Sequence, residues 1–306
     1  MTTVNLGGIL VGDGHPCYVL AELGINHGGS VVTAEKMIDA AAYAGAQGVK
    51  IQKRGANYYS AEELARPLES PYGTTRGDYV RARELGRQAV IDLARYAQAK
   101  GLQFTASCWD LESLDDVMSW CEPPFLKVAS AVLTWPASIR DPLLRAHAQA
   151  NRPIVMSTGM SDLTQIDEAI AVLENEWQTG HTLWKYGPGI VLLGCTSTYP
   201  CEDAEINLRT MHTLRERYGV PVGWSHHDRS IATSVAAVAM GSCMIERHLT
   251  LDRTLFGSDQ SSSIEPGGFA RMVRDVRVAE RAMGSAEKRV LASEIPVRAK
   301  LARVAK

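Results

Sequence analysis

Eight short β-rich runs alternate with helical patterns along almost the whole chain, and this alternation restricts the fold more than any other feature. The runs are CYVLAE (17–22), GVKIQ (48–52), LQFTAS (102–107), FLKVAS (125–130), PIVMST (153–158), IVLLGCT (190–196), VPVGWS (220–225) and CMIERH (243–248). Between and after them lie stretches with apolar residues at helical spacing, such as VIDLARYAQAKG, LTQIDEAIAVLEN and PGGFARMVRDVRVAERAMG. The first helix reads from Ser30, a capping side chain, to Gly45, a stop signal. Strand–helix–strand repeats dictate parallel pairing, and eight of them close into a ring rather than leave an open sheet. The expected class is α/β, a (β/α)₈ TIM barrel. The 306 residues exceed the ~250 that such a barrel needs. Ahead of the first run, VNLGGILVGDG (4–14) reads as a hairpin plugging the base of the barrel. The expected organisation is a barrel over 1–290, then a tail or the start of a linker over 291–306 with no second domain.

Composition excludes several function classes. A net charge of −2 and a pI near 6.5 offer no basic face for nucleic acid or anionic lipid. No 18-residue apolar run and no signal-peptide pattern occur, so the expectation is a cytoplasmic protein without a membrane span. Cysteines 17, 108, 121, 195, 201 and 243 form no CxxC pair and read as reduced, small hydrophobes.

In a TIM barrel the C-terminal ends of the strands meet at one mouth. Here those ends are polar: Glu22, Lys50 and Gln52, Ser107, Lys127 and Ser130, Ser157 and Thr158, Thr196 and Ser197, Ser225 and His227, Glu246 and His248. The run AELGINHGG (21–29) adds Asn26 and His27 on a βα loop, where capping of a turn is the competing reading. Lys50 and Lys127 interrupt apolar strands, and a buried ammonium demands a compensating anion. With the hydroxyls and the backbone N–H groups of STG (157–159), they suit a small, doubly anionic ligand, against a reading as snorkelling or internally paired lysines. His227 and His248 end consecutive strands. Two neutral imidazoles, completed by water and substrate oxygens, suit an open divalent site such as Mn²⁺ rather than a closed structural zinc. Glu246 and Asp259 then serve as a further ligand or as acid and base; hydrogen-bonded structural histidines are the alternative.

The strings AELGINHGGS, AGAQGVKIQK, LQFTAS, FLKVAS, MSTGMS, CTSTYP, VPVGWSHHD, IERHLTLDRTLFGSD and SIEPGGF, in this order, make the chain resemble the sialic acid synthase family. Those TIM-barrel transferases, of the EC 2.5.1 type, condense phosphoenolpyruvate with N-acetylmannosamine or a related aldose in sialic acid biosynthesis. The animal-type branch is nearest, through FTAS, CTSTYP and the SVAAVAMG helix. The resemblance implies that Lys50, Ser107, Lys127, Ser130, Ser157 and Ser225 hold phosphoenolpyruvate. It implies that His227 and His248 bind Mn²⁺, with Mg²⁺ as the substitute, and that Glu22, Gln52, Tyr199, Glu246 and Asp259 surround the acceptor sugar and its aldehyde. A homodimer is the implied assembly.

Departures from the family pattern fall at Val132, where an acidic residue is usual; at His226, a neighbour or alternative ligand beside His227; and at Gln260, within a GSDH-like string. The family's small C-terminal antifreeze-like domain, which gives an arginine to the N-acetyl group, does not follow in the 306 residues, so the donor is better specified than the acceptor. Two other functions compete: a barrel aldolase using a strand lysine as a Schiff base, and a non-catalytic sugar- or phosphate-binding homologue.

Overall fold

The computed structural model of the chain describes residues 2–179 and 187–303. Eight parallel strands, β1 (Tyr18–Gly24), β2 (Gly48–Lys53), β3 (Gln103–Cys108), β4 (Leu126–Val128), β5 (Ile154–Ser157), β6 (Ile190–Cys195), β7 (Val222–His226) and β8 (Met244–His248), form a closed barrel in sequence order. The ring closes where β8 pairs with β1, Met244 opposite Tyr18 and His248 opposite Glu22. Strands of this kind are covered on both sides, and every residue of β1 and β5 is buried.

Eight helices coat the ring: α1 (Val31–Ala44), α2 (Arg87–Ala99), α3 (Leu111–Cys121), α4 (Ala137–Gln149), α5 (Leu163–Thr179), α6 (Thr210–Tyr218), α7 (Ala232–Ala239) and α8 (Pro266–Met283). The boundaries of α1 follow from cap chemistry. Ser30 accepts from the N–H of Thr33, and Gly45, at φ +84°, donates to the carbonyls of Ala41 and Ala42. Its buried face, Ala34, Met37, Ile38 and Ala41, keeps the 3–4 spacing of a core-facing stripe. Helix α4 starts earlier than its sequence pattern at 143–152 because Pro142 lies inside the helix rather than at its boundary.

The hairpin, Thr3–Leu6 against Ile9–Gly12, closes the bottom of the barrel. Its Val4, Leu6 and Val11 pack with Tyr18, Leu20, Phe125, Val155, Val191, Leu193 and Met244. These strand residues share the parity of Glu22, Lys127, Ser157, Cys195, Glu246 and His248. Because side chains alternate along a strand, the lumen is apolar below and polar above. The larger core lies between the strands and the helices.

Residues 54–86 carry elements with no counterpart in the sequence expectations: a helix over Ala61–Ala65, a hairpin of Pro67–Ser70 and Gly73–Thr75, and a helix over Arg76–Arg83. Their legible signal is a pair of capping boxes, Ser60 with Glu63 and Thr75 with Asp78. Side chains over 281–303 are exposed, including a short helix at Ile295–Leu301. All six cysteines are free, and no helix among the described residues is long and apolar enough to cross a membrane.

Candidate active site

The polar upper lumen opens into a cavity of about 190 Å³. Glu22, Lys50, Gln52, Ser107, Lys127, Ser130, Ser157, Ser197, Tyr199, Ser225, His227, Glu246 and His248 all line it. Neighbouring strands bring the donors into contact. Lys50 Nζ donates to Ser107 Oγ at 2.8 Å, and Lys127 Nζ to Ser157 Oγ at 2.7 Å and to the Val128 carbonyl at 3.0 Å. The N–H of Gly159 donates to Ser130 Oγ at 3.1 Å.

The two buried lysines share two carboxylates. Lys50 forms an ion pair with Glu22, and Glu246 sits between the ammonium groups, 3.9 Å from Lys50 and 3.8 Å from Lys127. Part of the compensation that the buried lysines demand is thus internal, as the competing reading of internally paired lysines had it. Ser225 donates to Glu246 Oε1 at 3.2 Å, while the buried Oε2 accepts no hydrogen bond. Burial pushes the Glu22 carboxyl up, and the charge of Glu246 adds to the rise while Lys50 opposes it; it titrates at about 7. Burial also acts against Glu246, but Lys127 and Lys50 outweigh it and hold the carboxyl below its ordinary range. Lys127 is pushed down by burial, whereas Lys50, equally buried, is held up by Glu22 and Glu246.

The imidazole rings of His227 and His248 have centroids 5.3 Å apart, and the ring of Tyr199 lies over His227 at 4.2 Å. His227 Nδ1 is 2.8 Å from the Thr196 carbonyl, which can only accept, so Nδ1 carries a proton and, in the neutral ring, Nε2 is the nitrogen with the lone pair. That is the arrangement in which a backbone carbonyl orients a metal-binding histidine. His248 Nδ1 is buried without a hydrogen-bond partner, and burial depresses the ring to about 3, so it stays neutral. Among the described residues no group of three or more His, Cys, Asp or Glu is arranged to hold a metal. Glu246, read from sequence as a further ligand or as acid and base, is drawn to the lysines, and Asp259, read in the same way, lies 3.7 Å from His248 Nδ1. The two imidazoles fit an open site completed by non-protein oxygens.

Residues 37–288 match the NeuB family. The chain belongs to the NeuB family. It is 36% identical over 295 residues to the human N-acetylneuraminate-9-phosphate synthase, covering 95% of this chain and 78% of that one. It is 32% identical to the N,N'-diacetyllegionaminic acid synthase of Legionella pneumophila, over 94% of this chain and 79% of that one. The crystal structure of the N-acetylneuraminic acid synthetase of Leptospira borgpetersenii superposes with a TM-score of 0.81 at 29% identity, covering 99% and 98%. This NeuB member is an enzyme, a synthase.

Several positions read from sequence behave differently in this NeuB chain. Asp259 lies outside the cavity wall, its Oδ2 3.7 Å from His248 Nδ1 and its Oδ1 accepting from Ser258 Oγ. Asn26 donates to the Leu249 carbonyl and to Ser263 Oγ, and His27 accepts from the N–H of Gly29, so both fasten loops, as the competing reading had it. Thr158 and Thr196 likewise donate to backbone carbonyls. Strand β4 ends at Val128, and Ser130 opens a short helix, Ser130–Leu133, that turns Val132 into the apolar core. The departure at 132 thus falls away from the cavity. His226 is buried, paired with Asp228 at 3.2 Å, and absent from the cavity wall, which removes it as an alternative ligand.

Sequence reasoning missed five lining residues, Trp109, Ala129, Ala131, Met160 and Cys195. Arg54 stacks over Trp109 at 4.3 Å and donates to Gln52, which donates to Glu22. Cys195 is the sharper correction, because it is no inert hydrophobe. Its Sγ lies 3.6 Å from Ser197 Oγ and 3.7 Å from His227 Nδ1, so the thiol meets polar partners at the cavity wall. Its legible signal was position, one parity step above Leu193 on a lumen-facing strand.

Proposed function

We propose that this synthase joins phosphoenolpyruvate to an aldose, giving a 2-keto-3-deoxy acid of the sialic acid type and inorganic phosphate. In this reading a divalent ion, Mn²⁺ before Mg²⁺, is held by His227 and His248. The observation that carries it is the convergence of two buried ammonium groups and two imidazoles on one small cavity at the polar end of the barrel.

Lys127 with Ser157, Lys50 with Ser107, and the turn at Ser130 and Gly159 supply charge-assisted donors for phosphate and carboxylate oxygens. A bound dianion competes with Glu246 for the lysines, so the pocket is paid for in advance by an internal counter-charge. Gln52 and Tyr199 face the sugar side. The ion, when bound, polarises the sugar carbonyl as a Lewis acid.

The bond changes balance with one water. C3 of the enol phosphate bonds to the aldehyde carbon, the water oxygen bonds to C2, and the C2–O bond to phosphate breaks. Of the two water protons, one ends on the new hydroxyl and the other on the phosphate. Glu22, titrating near neutrality and buried beside Lys50, is the group suited to hold and pass such a proton. Fixed charges act here without reorganising, which favours positioning as well as stabilisation.

The test is phosphate release from phosphoenolpyruvate with Mn²⁺ against N-acetylmannosamine, mannose, their 6-phosphates, arabinose 5-phosphate and 2,4-diacetamido sugars. Release with one acceptor, stopped by a chelator, is expected. Binding of phosphoenolpyruvate with no release across the panel would favour a non-catalytic homologue. One observation favours a second reading: the depressed ammonium of Lys127 suits a Schiff base. Borohydride inactivation in the presence of sugar, indifferent to chelator, would support it instead.

A further inference from the structure

We infer that Arg247, which lines no part of the cavity, is a positioning residue that sets the two imidazoles for their ion by clamping β7 to β8 from behind the barrel wall; this rests on the metal reading above.

Arg247 precedes His248 on β8 and is fully buried. Its register partner on β7 is His226, so it stands beside the residue that precedes His227. Its guanidinium takes a two-point grip on the residue that follows His227. Nη1 donates to Asp228 Oδ1 at 2.7 Å, and Nη2 donates to the Asp228 main-chain carbonyl at 2.6 Å. The second bond matters most, because it fixes backbone rather than a side chain.

Asp228 is itself held on every side. Oδ1 also meets His226 Nδ1 at 3.2 Å, and Oδ2 accepts from Thr233 Oγ1 at 2.7 Å and from the N–H of Ser230 at 3.1 Å. On the other flank the His227 carbonyl accepts from the N–H of Cys201 at 3.0 Å. The main chain is thus pinned at two successive carbonyls, those of His227 and Asp228, and the second pin is rooted in the residue adjoining His248.

A buried ion pair is weak evidence for stability, since apolar residues of similar volume commonly do as well. What an apolar pair cannot supply is a directional bond to one carbonyl. The clamp therefore fits a geometric purpose: it couples the heights of two strand ends whose imidazoles must meet one ion.

The experiment titrates Mn²⁺ into the full chain, following free Mn²⁺ by electron paramagnetic resonance, and separately titrates phosphoenolpyruvate. For Arg247→Met, which keeps length but loses both donors, Mn²⁺ affinity is expected to fall about 10- to 100-fold. Phosphoenolpyruvate affinity should stay within about threefold, and Arg247→Lys should recover part of the Mn²⁺ loss. Should Arg247→Met fail to fold, Arg247→Lys and Thr233→Val, which removes one support of Asp228, carry the same comparison. Wild-type Mn²⁺ affinity in the folded variants would overturn the clamp, and so would parallel loss of both ligands, which marks general loosening. Failure of the unaltered chain to bind Mn²⁺ would overturn the metal reading beneath it.

Discussion

Glu22 and Lys50 are register partners on adjacent strands, and their side chains form an ion pair almost wholly removed from water. Removing Glu22 leaves the Lys50 ammonium buried with Glu246, 3.9 Å away, and the Ser107 hydroxyl to answer it. Glu22→Ala should therefore lower stability by about 3–5 kcal/mol, whereas Glu22→Leu combined with Lys50→Met should lose much less, because an apolar pair replaces the ions. Chemical denaturation of the three proteins decides it. Equal losses in the single and double variants would show that the pair is not coupled.

His248 has no hydrogen-bond partner at Nδ1 and stays neutral, as a ligand requires. His248→Ala should remove Mn²⁺ stimulation together with turnover, a fall of roughly 10³-fold or more, equivalent to about 4 kcal/mol. Phosphate-release rates with and without Mn²⁺ measure this directly. Unchanged turnover in the variant would end the metal reading.

Gly24, at φ +53°, is the point around which three site groups gather. A Cβ there would stand 3.1 Å from Asp259 Oδ2, 3.2 Å from Glu22 Oε1 and 3.3 Å from His248 Nδ1. Gly24→Ala should cost about 1–2 kcal/mol through its left-handed backbone and cut kcat/KM by about tenfold or more by displacing those groups. Gly14→Ala is the control: φ is +81° but nothing lies within 4 Å, so it should carry the backbone penalty alone. Matching activity losses in the two variants would refute a steric effect on the site.

His147, buried in α4, donates from Nδ1 to the Leu143 carbonyl at 2.8 Å, and burial holds its ring down at about 4. Above pH ~6.5 it is neutral whether the chain is folded or not, and its contribution is fully present. As pH falls from 6.5 towards 4, the unfolded chain takes up a proton that the folded chain refuses, and stability drops by an amount on the order of 2–3 kcal/mol. His147→Gln should flatten the decline of Tm between pH 7 and pH 4.5. A slope equal to that of the unaltered chain would remove His147 as a source of acid sensitivity.

The barrel and the identity of most cavity residues were legible because both rest on periodicity. Alternation of strand and helix dictates the ring, and the two-residue repeat along each strand carries apolar Leu20, Phe125 and Met244 to the floor and polar Glu22, Lys127 and Glu246 to the mouth. Residues 54–86 escaped because short elements held by local caps leave no long period to read.

What the linear order determined, then, was which side chains share the mouth of the barrel. How they partner there was decided only by the fold, since partnership depends on distances across strands far apart in sequence. Glu246 sits between the lysines, Cys195 lies against His227, and Val132 turns into the core because β4 stops at Val128. Arg247 is the fullest case. In sequence it is one charged residue in an apolar strand, and only the packed barrel gives its guanidinium a carboxylate and a carbonyl on the next strand to hold.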